Sequence, residues 1–153
     1  MGTQLIMTEI VIQQPSTKPL DNRANPKSEL VRLVDILQAQ PALEFAVLIG
    51  SRANDTAAAE SDWDIALQWS AQLSWLDRLG HTETLRRLLA VNLGVSETAI
   101  DLIDLPRANL AMRAAVVEEG KPLVGEDSLA WAHYLRRTWR EIEDFYWEKQ
   151  HAV

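Results

Sequence analysis

The chain has 153 residues, of which 47% are hydrophobic and none is cysteine, which is one domain's worth of ordinary globular composition. Without cysteine there is no disulfide, no thiolate metal site and no thiol nucleophile. Acidic residues outnumber basic ones 22 to 15, a formal charge of −7, whereas a protein that grips nucleic acid through its phosphates needs a basic surface; direct nucleic-acid binding is therefore not expected.

The first residues lack the basic run that opens a signal peptide, and no apolar stretch approaches membrane-spanning length, so a cytoplasmic location is expected. Residues 1–24 show no strong period and read as a loose arm, with a short strand at Ile10, Val11 and Ile12 as an option. Asn25 followed by Pro26 is a cap and a first helical position, and Leu30, Leu33, Val34 and Leu37 recur at helical spacing. The spacing predicts a helix that ends before Pro41.

The apolar run Phe45-Ala46-Val47-Leu48-Ile49 predicts a strand, closed by Gly50-Ser51, and a second strand follows over 63–69. Helical spacing then runs over 73–93, weakened at Gly80 and restarted by Thr82-Glu83. Its expected buried stripe is Leu85, Leu88, Leu89 and Leu93, and Gly94 stops it. A third strand covers 99–105. Pro106 is expected to open another helix, with Leu110, Ala114 and Val117 on its apolar face, before Gly120 and a final edge strand at 121–124.

The segment 128–150 places Trp131, Leu135, Trp139, Ile142 and Tyr146 three or four residues apart, with Phe145 and Trp147 beside them. Such a stripe either packs on the domain or meets a partner, since Trp, Tyr and Arg are favoured at interface hot spots. The expected organisation is an arm (1–24), a domain (25–127) and a C-terminal amphipathic helix (128–153). The fold class is α/β, a mixed sheet with helices packed on one face.

The chemistry lies at the strand ends. Side chains alternate along a strand, so Trp63, Ile65, Leu67 and Trp69 share one face and Asp62, Asp64, Ala66 and Gln68 the other. The apolar face packs on a core, which leaves both carboxylates together on the open side. Magnesium is usually held by one or two carboxylates plus substrate phosphates, so the pair suits a metal-bound triphosphate. In the third strand, a register with Ile100 and Leu102 inward sends Asp101 to the open side. The opposite register buries Asp101 as an unpaired charge. Asp101 is therefore the candidate third carboxylate, and Asp104 lies at the strand end.

Gly50-Ser51 offers backbone N–H donors and a hydroxyl to phosphates, and glycine admits close approach. Arg52 either helps neutralise a leaving pyrophosphate or is an ordinary surface arginine. Ser51 has no histidine or lysine near it in sequence to make it a nucleophile. His81, His133 and His151 lack metal-ligand spacing. The clusters Arg86-Arg87 and Arg136-Arg137 with Arg140 read as solvated helix faces or as contacts for an acidic partner.

Gly-Ser, ten residues, Asp-x-Asp and a later strand aspartate together resemble the nucleotidyltransferase superfamily that includes DNA polymerase beta. The small size and the wording Gly50-Ser51-Arg52-Ala53 and Ile100-Asp101-Leu102-Ile103-Asp104-Leu105 are similar to its minimal nucleotidyltransferase (MNT) branch, the antitoxin partners of HEPN-domain toxins. The likeness departs after Arg52, where the family often carries Arg-Gly and this chain has Asn54-Asp55.

The resemblance implies a polymerase beta-like fold, with two Mg2+ ions held by Asp62 and Asp64 and one of them also reached by Asp101. It implies that Asp101 assists deprotonation of the incoming hydroxyl, and that Gly50, Ser51 and Arg52 meet the nucleotide. The implied reaction transfers AMP from ATP to a hydroxyl side chain, tyrosine being the expected acceptor, of a HEPN ribonuclease bound as a hetero-oligomer. One alternative is a binding antitoxin that acts by steric cover. Another is transfer to a small molecule such as an aminoglycoside, although the stretch after Asp127 has room for only one added helix.

Overall fold

The computed structural model describes residues 25–58 and 60–152; the arm and its suggested strand at Ile10, Val11 and Ile12 lie outside them. Helix α1 (Pro26–Gln38) begins as its cap dictates, with the Asn25 side chain accepting a hydrogen bond from the Lys27 backbone N–H at 3.2 Å. It buries Leu33 and Leu37. Strand β1 (Leu43–Ile49) runs into a single 3-10 turn, Gly50–Arg52, and the chain returns as β2 (Trp63–Trp69). Helix α2 (Trp75–Leu93) crosses over to β3 (Ile100–Asp104), followed by α3 (Leu110–Glu119), β4 (Lys121–Val124) and α4 (Leu129–His151).

The four strands form one mixed sheet in the order β3-β2-β1-β4. β1 is antiparallel to both of its neighbours, and β2 is parallel to β3. A parallel pair needs a long crossover, which α2 supplies. Two cores result. One joins Leu33 and Leu37 of α1 and Leu85, Leu89, Ala90 and Leu93 of α2 to Ala46, Leu48, Trp63, Ile65, Leu67 and Trp69 of the sheet. The other joins Phe45, Val47, Ile49 and Ala66 to Val116 of α3 and Trp131 and Tyr134 of α4.

The expected mixed sheet is present, but the helices expected on one face occupy both. The physical reason is β1, whose residues from Phe45 through Ile49 are all buried; a strand apolar on both sides needs cover on both. α2 also runs unbroken through Gly80, where a Cβ would meet nothing within 4 Å. Leu88 is exposed and Ala90 takes its place in the buried stripe. Pro106 sits in a 3-10 turn, and α3 starts only at Leu110, where the Asn109 side chain accepts from the Met112 N–H at 2.9 Å.

The buried stripe of α4 is Trp131, Tyr134, Thr138 and Ile142, so Trp139 falls outside it. Tyr134 is drawn inward by Phe45, whose ring centroid lies 5.3 Å away. Among the described residues no helix is long and apolar enough to cross a membrane.

Candidate active site

The Asp64 side of β2 is only partly covered. Ala66 is buried under the second core, whereas Asp64, two residues earlier, is half-buried and Asp62, just before the strand, is exposed. The register sets Asp64 directly opposite Asp101 on β3 and opposite Ile49 on β1. Asp101 is exposed between buried Ile100 and Leu102, which is the register that keeps its charge out of the core. Asp104 has the other parity and turns toward α2, where Arg78 sits 3.8 Å from it.

Gly50 closes the site from β1. Its φ is +73°, and a Cβ there would lie 2.5 Å from the Asp64 Oδ2 oxygen. Only glycine accepts both the left-handed backbone and the contact, so the turn is built around the carboxylate. Ser51 follows in the same 3-10 turn. The Asp64 carboxyl is pushed above its ordinary 3.8, first by burial and then by the Asp101 and Asp62 carboxylates. Each of these effects disfavours a bare anion.

Arg52 does not turn toward these acids. Its Nε and one terminal nitrogen donate to the Ser61 carbonyl at 3.0 and 2.8 Å, and another terminal nitrogen lies 3.8 Å from Glu29 on α1. Its guanidinium stacks 3.9 Å from the centre of the Trp63 ring, and Trp63 belongs to the α1 side of the sheet. These are the contacts of a clamp on the loop. Arg86, expected on a solvated face or against a partner, instead donates to the Ile100 carbonyl and pairs with Glu83 at 3.3 Å. No spacing rule reveals either carbonyl contact, because both acceptors lie nine or more residues away.

The donors at this strand end are carboxylate oxygens, the ligand type that magnesium prefers. Asp101 and Asp62 both act on Asp64 at an open strand end, and an added cation would relieve the repulsion that burdens Asp64. Among the described residues no group of three or more acidic, histidine or cysteine side chains is placed to hold a metal ion by itself. Magnesium does not need such a group, because it draws its remaining ligands from water and substrate phosphates.

Residues 32–129 match the family described as Polymerase beta, Nucleotidyltransferase. The chain belongs to that family. The matched segment of this nucleotidyltransferase takes in the Gly50-Ser51 turn and all three carboxylates and ends at the first residue of α4. Its fold is that of MNT structures. A crystal structure described as a toxin-antitoxin with AMP-PNP is 26% identical, with a TM-score of 0.59 over 81% of this chain and 92% of that one. A crystal structure of a mutant MntA-HpeT toxin-antitoxin is also 26% identical, with a TM-score of 0.57 over 81% and 91%. A complex of tri-AMPylated Shewanella oneidensis HEPN toxin with MNT antitoxin shares the fold at 24% identity, with a TM-score of 0.58 over 81% and 92%. No curated protein matches the chain.

Proposed function

We propose that this nucleotidyltransferase is an MNT-type antitoxin that transfers AMP from ATP to a hydroxyl side chain, tyrosine in our reading, of a cognate HEPN toxin. The observation that carries the proposal is the register that sets Asp64 opposite Asp101 beside the positive-φ Gly50. The AMP-PNP in one similar structure and the AMPylated HEPN toxin in another support ATP as donor and a HEPN protein as acceptor. A toxin that cuts RNA would be met in the cytoplasm.

The Gly50-Ser51 turn would hold the β and γ phosphates through backbone N–H groups and the Ser51 hydroxyl. Asp62 and Asp64 would hold Mg2+, with Asp101 as a further ligand. Magnesium held there supplies positive charge to the phosphates and stabilises the entering and leaving oxygens. Asp101 is exposed, so an acceptor hydroxyl can reach it and pass it a proton. The hydroxyl oxygen bonds to the α-phosphorus, the bond from that phosphorus to the α,β-bridging oxygen breaks, and pyrophosphate leaves. The toxin keeps an AMP ester, whose charge and bulk would block RNA.

A second reading, neutralisation by steric cover, is favoured by one feature. Trp139, Phe145, Tyr146 and Trp147 of α4 are 41 to 62% exposed, an aromatic surface suited to an interface. The two readings separate when toxin treated with this protein, ATP and magnesium is purified away from it. Chemical neutralisation predicts toxin that stays inactive and gains one or more AMP units in intact mass. Recovered activity with unchanged mass supports steric cover.

A further inference from the structure

Two of the three carboxylates share a local arrangement. The residue before Asp62 is Ser61, whose carbonyl accepts two hydrogen bonds from Arg52. The residue before Asp101 is Ile100, whose carbonyl accepts from Arg86. A peptide unit is planar, so holding the carbonyl of one residue fixes the plane that contains the nitrogen and Cα of the next. Each arginine thereby orients the backbone from which an aspartate projects.

We propose that Arg52 and Arg86 are positioning residues, which clamp the peptide planes ahead of Asp62 and Asp101 and set the spacing of the carboxylates for metal and nucleotide. The proposal rests on the nucleotidyl-transfer reading of the site. Asp62 needs such a clamp because it stands before β2, outside the strand ladder, at the end of a loop. Asp101 needs one because, among the described residues, β3 lies at the edge of the sheet and pairs with β2 alone. Both carboxylates also face like charge, which pushes them apart.

The arginines draw on separate scaffolds. Arg52 is braced by Glu29 of α1 and by the Trp63 ring, and Arg86 by α2, which carries it, and by Glu83. Two nitrogens on one carbonyl with a stacked planar group is an arrangement that lysine cannot reproduce. Arg52→Lys should therefore restore little of what Arg52→Gln loses.

The test compares Arg52→Gln, Arg52→Lys and Arg86→Gln with Arg87→Gln, an exposed neighbour outside the site. Three quantities are read: hydrogen–deuterium exchange of peptides covering 53–62 and 100–102, Mn2+ affinity in the presence of AMP-PNP, and kcat against KM for ATP at saturating metal. The clamp predicts faster exchange in 53–62 for the Arg52 variants and in 100–102 for Arg86→Gln. It also predicts Mn2+ affinity and kcat about tenfold lower, the lower end of what loss of a ligand's support costs, with KM for ATP nearly unchanged and Arg87→Gln like the wild type. A raised KM with intact kcat and unchanged exchange would make Arg52 a phosphate ligand and overturn the clamp. Unchanged values throughout would overturn it as well. Should wild-type protein bind no Mn2+ with AMP-PNP, the transfer reading itself fails, and unchanged exchange would still reject the clamp independently.

Discussion

The two faces of β2 are made by the same seven residues and serve opposite ends. Trp63, Ile65, Leu67 and Trp69 are at most 4% exposed in the core beneath α1 and α2. On the other face Asp64 carries a charge that its surroundings resist, because burial and two neighbouring carboxylates raise its pKa. One face gives stability, and the other gives up a little of it to hold the carboxylates that the proposal assigns to catalysis. Strand alternation lets both lie within one short element, so substitutions on the two faces should have separable effects.

Among the single substitutions proposed on the carboxylate face, the largest expected effect is that of Asp101→Asn. Under the proposed mechanism Asp101 accepts a proton and helps hold the metal, so its loss should lower AMP transfer by about 10²- to 10⁴-fold, measured as kcat with melting temperature as the control. Its partner in the comparison is Asp104→Asn. Asp104 turns to the α2 side, so transfer should change little, while loss of the partly shielded pairing with Arg78 should cost about 1 kcal/mol. The reverse ranking in rate would mean that β3 presents its other face to the site.

On the core face, Leu67→Ala should destabilise by about 2–5 kcal/mol in denaturant unfolding. At a temperature where the variant is folded, its transfer rate per folded molecule should remain close to wild type. A rate loss well beyond the unfolded fraction would break the separation of the two faces.

The division between the faces was legible in the sequence because alternation is local, and the register of β3 was legible because only one choice keeps Asp101 out of the core. The layering was not. Whether α3 and α4 return to the first face or cover the second depends on contacts such as Phe45 with Trp131 and Tyr134, which join residues far apart in the chain. The same contacts rotate the α4 stripe from Leu135 and Trp139 to Tyr134 and Thr138. The roles of Arg52 and Arg86 were hidden for a similar reason, since a carbonyl acceptor leaves no mark on side-chain pattern.

The smallest effect on stability belongs to the outer part of α4, which extends the comparison along a helix. Ile142 is 5% exposed and Trp147 is 62% exposed. Ile142→Ala should destabilise as a core truncation does, whereas Trp147→Ala should shift stability by no more than about 0.5 kcal/mol and instead weaken capture of the HEPN partner. Thermal melting and a pull-down on the same two variants sharpen the contrast. Normal capture by Trp147→Ala, Tyr146→Ala and Trp139→Ala would remove this surface from the interface.

The most direct measurement is the stability of Asp62→Asn with Asp64→Asn across pH without metal, read beside AMP transfer. Asp64 has a folded-state pKa above its unfolded value, so the stability linked to its proton is fully present below about 3.8 and is lost as pH rises through the raised value. At neutral pH the wild type therefore carries an electrostatic cost that the double variant lacks. The predicted result is a variant that melts at or above the wild-type temperature at pH 7, loses this advantage under acid, and transfers no AMP to the HEPN partner. A melting temperature well below wild type at neutral pH would contradict the electrostatic cost, and a folded double variant that retains full transfer would contradict the assignment of these carboxylates to catalysis.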